Sequence, residues 1–167
     1  SRLSIPDDGK AVYVQLGAGR INDIESLLEK VLDSLFDHPE VYVVLGESML
    51  GERLNFTHER LRVVRDYPNA LYALAFDASV QAGGYNSYQE MRMFGIPTLF
   101  IPNVDTGMDD QVARCKIAEQ EGWGLVVLKP DITVLEQGIE KLLKINSSPT
   151  DPKINGSTNV AHLLLNR

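Results

Sequence analysis

Gly83 and Gly84 follow the short strand-like stretch "ASVQA" (78–82), and Tyr85, Asn86, Ser87 and Glu90 come after them. Glycine carries no Cβ, so a glycine pair lets the main chain approach a ligand closely. If a helix starts just beyond, its first amide N–H groups have no intrahelical partner and favour an anion. Asn86 and Ser87 can donate to phosphate oxygens or cap that helix. A purely local reading also exists. Ser87-x-x-Glu90 is a capping box, in which Glu90 bonds back to the start of its own helix. That reading gives the paired glycines no purpose, so the stretch points to a phosphate-type ligand.

Two other loops have related chemistry. "LGAGRIND" (16–23) places Gly17, Gly19 and Arg20 between a strand and a helix. It falls short of the dinucleotide fingerprint G-x-G-x-x-G, because position 22 is Asn, and it is not a P-loop. A ligand loop and a plain tight turn both fit it. In "TGMDDQVAR" (106–114) Asp109 can act as an N-cap, with Asp110 and Gln111 in the first helical turn. A carboxylate beside an amide is also suited to vicinal hydroxyls, since the pair both accepts and donates. His38, His58 and His162 share no metal-ligand spacing, and Cys115 is alone, so no metal site is expected. No G-x-S-x-G elbow supports a serine triad.

The elements that position these loops alternate along the chain. Strands are expected at 11–16, 41–46, 60–64, 78–82, 97–101 and 123–128. Helices are expected from about 21 to 36, 68 to 76, 87 to 94, 109 to 121 and 131 to 144. "VYVV" and "LVVL" are apolar throughout, as strands covered on both faces are. The pattern predicts an α/β fold, a single Rossmann-like doubly wound parallel sheet over 1–146. A linker at 147–156 and a final helix at 157–167 complete the chain. In such sheets ligands bind beyond the carboxyl ends of the strands, where strand order reverses.

Composition narrows the partners. A net charge of −7 disfavours nucleic acid and anionic membranes as partners of the surface as a whole. No apolar run is long enough to be a transmembrane segment. One cysteine and no secretory h-region point to a cytoplasmic setting. The start at Ser1-Arg2, without Met, is compatible with a domain cut from a longer protein.

Taken in order, the three loops resemble the C-terminal, donor-binding domain of inverting GT-B glycosyltransferases, above all the MurG-like group and the broader UDP-glycosyltransferases. The signature reads Ala82-Gly83-Gly84-Tyr85-Asn86-Ser87, Glu90, Gly95-Ile96-Pro97, Pro102 and Asp110-Gln111. The resemblance implies one half of a GT-B enzyme. Gly83, Gly84, Asn86 and Ser87 would hold the donor diphosphate, with Gly17, Gly19 and Arg20 opposite. Glu90 would hold the ribose, Asp110 and Gln111 the sugar, and the backbone at Val64 and Arg65 the base. It implies no cofactor or metal, and a nucleotide diphosphate sugar as substrate: UDP first, dTDP second. The catalytic base would come from an N-terminal acceptor-binding domain, in cis or on a separate subunit. The two-subunit N-acetylglucosaminyltransferase of dolichol-linked glycan assembly resembles the latter. Ala82 stands where retaining relatives carry a Glu, and "GGYNSYQE" is two residues longer than the "G-G-x-Q-E-E" turn of UDP-sugar 2-epimerases.

Overall fold

In the computed structural model, residues 3–17, 21–47, 56–65, 69–104 and 109–146 are described. The expected linker at 147–156 and helix at 157–167 lie outside them, as do Gly19, Arg20 and Pro68.

Six parallel strands form one sheet in the order β3-β2-β1-β4-β5-β6. They are β1 Lys10–Gln15, β2 Val41–Gly46, β3 Leu61–Val64, β4 Ala78–Gln81, β5 Thr98–Phe100 and β6 Gly124–Val126. The helices are α1 Ile21–Phe36, α2 Tyr85–Phe94, α3 Gln111–Gln120 and α4 Ile132–Leu142. Strand order reverses at β1, which pairs with β2 on one side (Val12 opposite Val43) and β4 on the other (Val12 opposite Ala78). That reversal opens a crevice at the carboxyl ends of β1 and β4.

Both faces of the sheet are covered, as the apolar strands predict. On one face, Leu28, Val31, Leu32 and Leu35 of α1 and Leu135, Ile139 and Leu142 of α4 pack on Val12, Val14, Val43, Val80 and Leu99. The α1 residues recur at helical spacing, and each such leucine contributes about 1.5–3 kcal/mol by leaving water. Gly138 lets α4 approach the sheet, since a Cβ there would lie 3.2 Å from Leu99. On the other face Tyr13, Val44, Phe76, Met91 and Ile96 form a second cluster. Tyr88, Phe100, Cys115 and Ala118 form a third, under α2 and α3.

Several expected boundaries move. The segment expected as a helix at 68–76 is a 3-10 helix, Asn69–Ala75. At the carboxyl end of α1 the cation is Arg60. Its guanidinium donates to the carbonyls of Phe36 and His38, each at 2.6 Å, and tethers β3 to the helix end. Helix α4 starts where expected, with Asp131 accepting from the Val134 N–H at 3.0 Å. Asp131→Ala is expected to cost about 1 kcal/mol, the usual worth of an N-cap, read as a lower urea midpoint with unchanged slope.

Candidate functional site

Helix α2 begins two residues earlier than the sequence suggests. Gly84 is its N-cap, and no side chain caps it. Tyr85, Asn86 and Ser87 are therefore the first three helical residues. The first helical bond is donated by the Tyr88 N–H to the Gly84 carbonyl at 2.9 Å. The capping box is thus not formed: Ser87 is inside the first turn, and Glu90 lies a further turn along. The consequence is chemical. Amide groups that a capping serine would have satisfied are left at the helix start, beside the positive end of its dipole.

The two glycines have different reasons to be there. Gly83 has φ +81°, and a Cβ on it would run into the Cys115 sulfur. The fold itself therefore requires glycine. Gly84 has φ −57°, and a Cβ there would meet no atom within 4 Å among the described residues. Nothing in the described chain requires glycine at that position. Across the crevice Gly17 follows β1 with φ +76°, and a Cβ on it would sit 3.2 Å from that of Ala82. The β1 and β4 turns are thus in close contact.

Glu90 is half-buried, and its carboxylate forms no hydrogen bond or ion pair with the described residues. Burial alone raises its pKa above the ordinary 4.5. Ser87, Glu90 and Phe94 share one side of α2, and Phe94 packs against the second cluster, as does Tyr72 of the 3-10 helix. Helical spacing thus puts this carboxylate on the second-cluster side of α2, without a partner among the described residues. At the end of β4, Gln81 is fully buried and its Oε1 has no partner among the described residues. Gln15, its register partner on β1, accepts from the Tyr13 hydroxyl at 3.1 Å.

At the start of α3 the N-cap is Asp110, not Asp109. Its Oδ1 accepts from the Ala113 N–H at 2.9 Å. Asp109 instead pairs with Arg114, which holds its carboxyl below the ordinary 3.8; Gln111 also hydrogen-bonds to it. Gln111 Oε1 accepts from the Asn103 N–H at 3.1 Å. Asp110 and Gln111 therefore sit together at the helix start, but in the free chain both have local structural work. Arg114 was not singled out from the sequence, and its contact with Gly83 spans 31 residues.

Val64 and Arg65 lie at the end of β3. The Val64 carbonyl accepts from the Glu47 N–H at 3.1 Å, so it is engaged in the sheet. Arg65 Nε donates to Glu47 Oε2 at 2.7 Å, and Glu47 is buried with its other oxygen unpartnered among the described residues. In the sequence Glu47 stands one residue after a glycine, off the position an acidic dinucleotide-binding residue would take, and its pairing with Arg65 is not legible there. Cys115 is fully buried, and that burial pushes its thiol up to about 12. Among the described residues no group of three acidic, His or Cys side chains could hold a metal, and no helix is long and apolar enough to cross a membrane.

Comparison with known proteins adds the following. No protein-family model matches the chain. It is 28% identical over 147 residues to the UDP-N-acetylglucosamine–N-acetylmuramyl-(pentapeptide) pyrophosphoryl-undecaprenol N-acetylglucosamine transferase of Staphylococcus carnosus. It is 29% identical over 127 residues to the enzyme of the same description from Salinibacter ruber. The matches cover 87% and 72% of this chain but only 40% and 34% of those relatives. Among solved structures, the spinosyn rhamnosyltransferase SpnG complexed with thymidine diphosphate superposes with a TM-score of 0.70 at 18% identity. That match covers 85% of this chain and 39% of the other. The relatives are MurG-like and other glycosyltransferases, and the fold is one Rossmann-like domain as found in GT-B structures.

Proposed function

We propose that this chain is the donor-binding half of an inverting glycosyltransferase that uses a nucleoside diphosphate sugar, UDP before dTDP. The observation that carries the reading is Gly84, a helix N-cap with neither a side-chain cap nor a steric need for glycine, next to unspent amides. An anionic ligand approaching the main chain accounts for both features. Kinship with N-acetylglucosamine transferases and the thymidine diphosphate complex of a fold relative support the same ligand class.

The roles are those the resemblance implies. Gly83, Gly84, Asn86 and Ser87 bind the diphosphate, with Gly17 across the switch point; Gly19 and Arg20, which lie outside the described residues, are assigned to the same ligand from the sequence. Glu90 accepts from the ribose hydroxyls. Asp110 and Gln111 hold the sugar, Asp110 through the oxygen not given to Ala113 and Gln111 after releasing a local bond. The base lies over the end of β3, where the backbone of Arg65 is the reader, since the Val64 carbonyl is already paired.

In the reaction an acceptor hydroxyl attacks the anomeric carbon and the nucleoside diphosphate leaves. This domain orients the donor and stabilises charge on the departing diphosphate with fixed amide dipoles. The general base and the acceptor belong to a second, acceptor-binding domain, in cis or on a separate cytoplasmic subunit. The chain alone is expected to bind UDP-N-acetylglucosamine without transferring the sugar. Incubation with radiolabelled donor and a lipid-linked sugar acceptor checks this; transfer by the pure chain contradicts the division of labour.

A further inference from the structure

Arg114, in the first turn of α3, contacts three residues with one guanidinium. Nη1 donates to the Gly83 carbonyl at 2.9 Å and to Asp109 Oδ2 at 3.3 Å. Nη2 donates to the other Asp109 oxygen. The guanidinium carbon lies 5.4 Å from the centroid of the Tyr85 ring. The side chain is only 18% exposed. The points it joins are the residue before the α2 amides, the first residue of α2, and the residue preceding the Asp110 N-cap.

A trans peptide points its N–H opposite to its C=O. With the Gly83 carbonyl turned onto Arg114, the Gly84 N–H is turned away from α3. One hydrogen bond thus fixes the orientation of the first amide in the row. Asp109 holds the guanidinium in place, and the planar fork lets it serve both partners at once, which a lysine ammonium on a flexible stem does not reproduce.

We propose that Arg114 is a positioning residue that locks the α2 turn to the start of α3, so that the diphosphate and the sugar of a nucleoside diphosphate sugar meet a preformed surface. The proposal rests on the donor-site reading for its ligand, and on the free chain alone for the lock. A preformed turn spares the ligand the cost of ordering it.

The test uses Arg114→Met and Arg114→Lys, with two readouts. The first is amide exchange in the free chain. In Arg114→Met the amides at the start of α2, Tyr88 among them, are expected to exchange about tenfold faster, while those of β1 and β4 are unchanged. The second is calorimetric titration with UMP and UDP. Arg114→Met is expected to weaken UDP by about tenfold or more and UMP by less than about threefold, because the turn serves the diphosphate. Arg114→Lys should restore neither readout. Wild-type exchange at the α2 start in Arg114→Met overturns the lock, as does full rescue by lysine, which would assign charge alone. Failure of the unaltered chain to bind UDP would instead remove the donor reading, and the exchange result would still decide the lock.

Discussion

Gly84→Ser is expected to leave stability within about a few tenths of a kcal/mol, since serine is a good N-cap and the site has room for it. It is expected to weaken UDP binding by about tenfold or more. The added side chain occupies the ligand's space, and its hydroxyl can take up an amide meant for phosphate; hydrogen bonds to charged groups are worth about 1.5–3 kcal/mol. Gly83→Ala should lower stability first, because the fold itself needs glycine there. A left-handed φ costs a non-glycine residue about 1–2 kcal/mol. The collision with the Cys115 sulfur adds about 1–3 kcal/mol of overpacking. Urea unfolding and calorimetric titration of the two variants separate the roles. If Gly84→Ser binds UDP as tightly as the unaltered chain, no ligand approaches the backbone there.

Glu90→Ala is expected to reduce affinity for uridine, UMP and UDP alike by about 1.5–3 kcal/mol, because the lost contact is to the ribose. Stability should not fall with it. The carboxylate makes no cap and no ion pair among the described residues, and its raised pKa shows that the fold disfavours its charged form. The sign follows. The folded state takes up the Glu90 proton at a higher pH than the unfolded chain, so stability rises as pH falls through the folded pKa, above 4.5. Asp109 acts the other way: its pKa is lowered from 3.8, so its contribution is present above that value and lost as pH falls through the folded one. UDP affinity should therefore decline as Glu90 protonates, and Glu90→Gln should remove that decline. A pH-independent UDP affinity in a folded protein that retains Glu90 would deny it the ribose role.

Much of this architecture is legible in the sequence because the sheet is buried on both faces. Continuous apolar strands and the α1 stripe leave little choice beyond a doubly wound parallel sheet. The loops are harder to read because their geometry is set by distant contacts. Ser87-x-x-Glu90 is a valid capping box locally, yet the helix starts at Tyr85, after the left-handed Gly83 packed against Cys115. Asp109 and Asp110 are equally good N-caps by type. Arg114, a residue of the third loop, takes Asp109 as its partner and leaves Asp110 to cap. Arg114 and Glu47 carry no local signal, since their contacts join loops 31 and 18 residues apart in sequence.

The central claim is that this domain binds a nucleoside diphosphate through the α2 turn. Thermal unfolding of the chain with UDP, dTDP, GDP and NAD tests it most directly. At about 100 times Kd a ligand adds roughly 2.7 kcal/mol, which for a domain this size raises Tm by about 5–10 °C. The account predicts that rise with UDP, a rise no larger with dTDP, and none with NAD. An unchanged Tm with every diphosphate, in a chain that unfolds cooperatively, would contradict it.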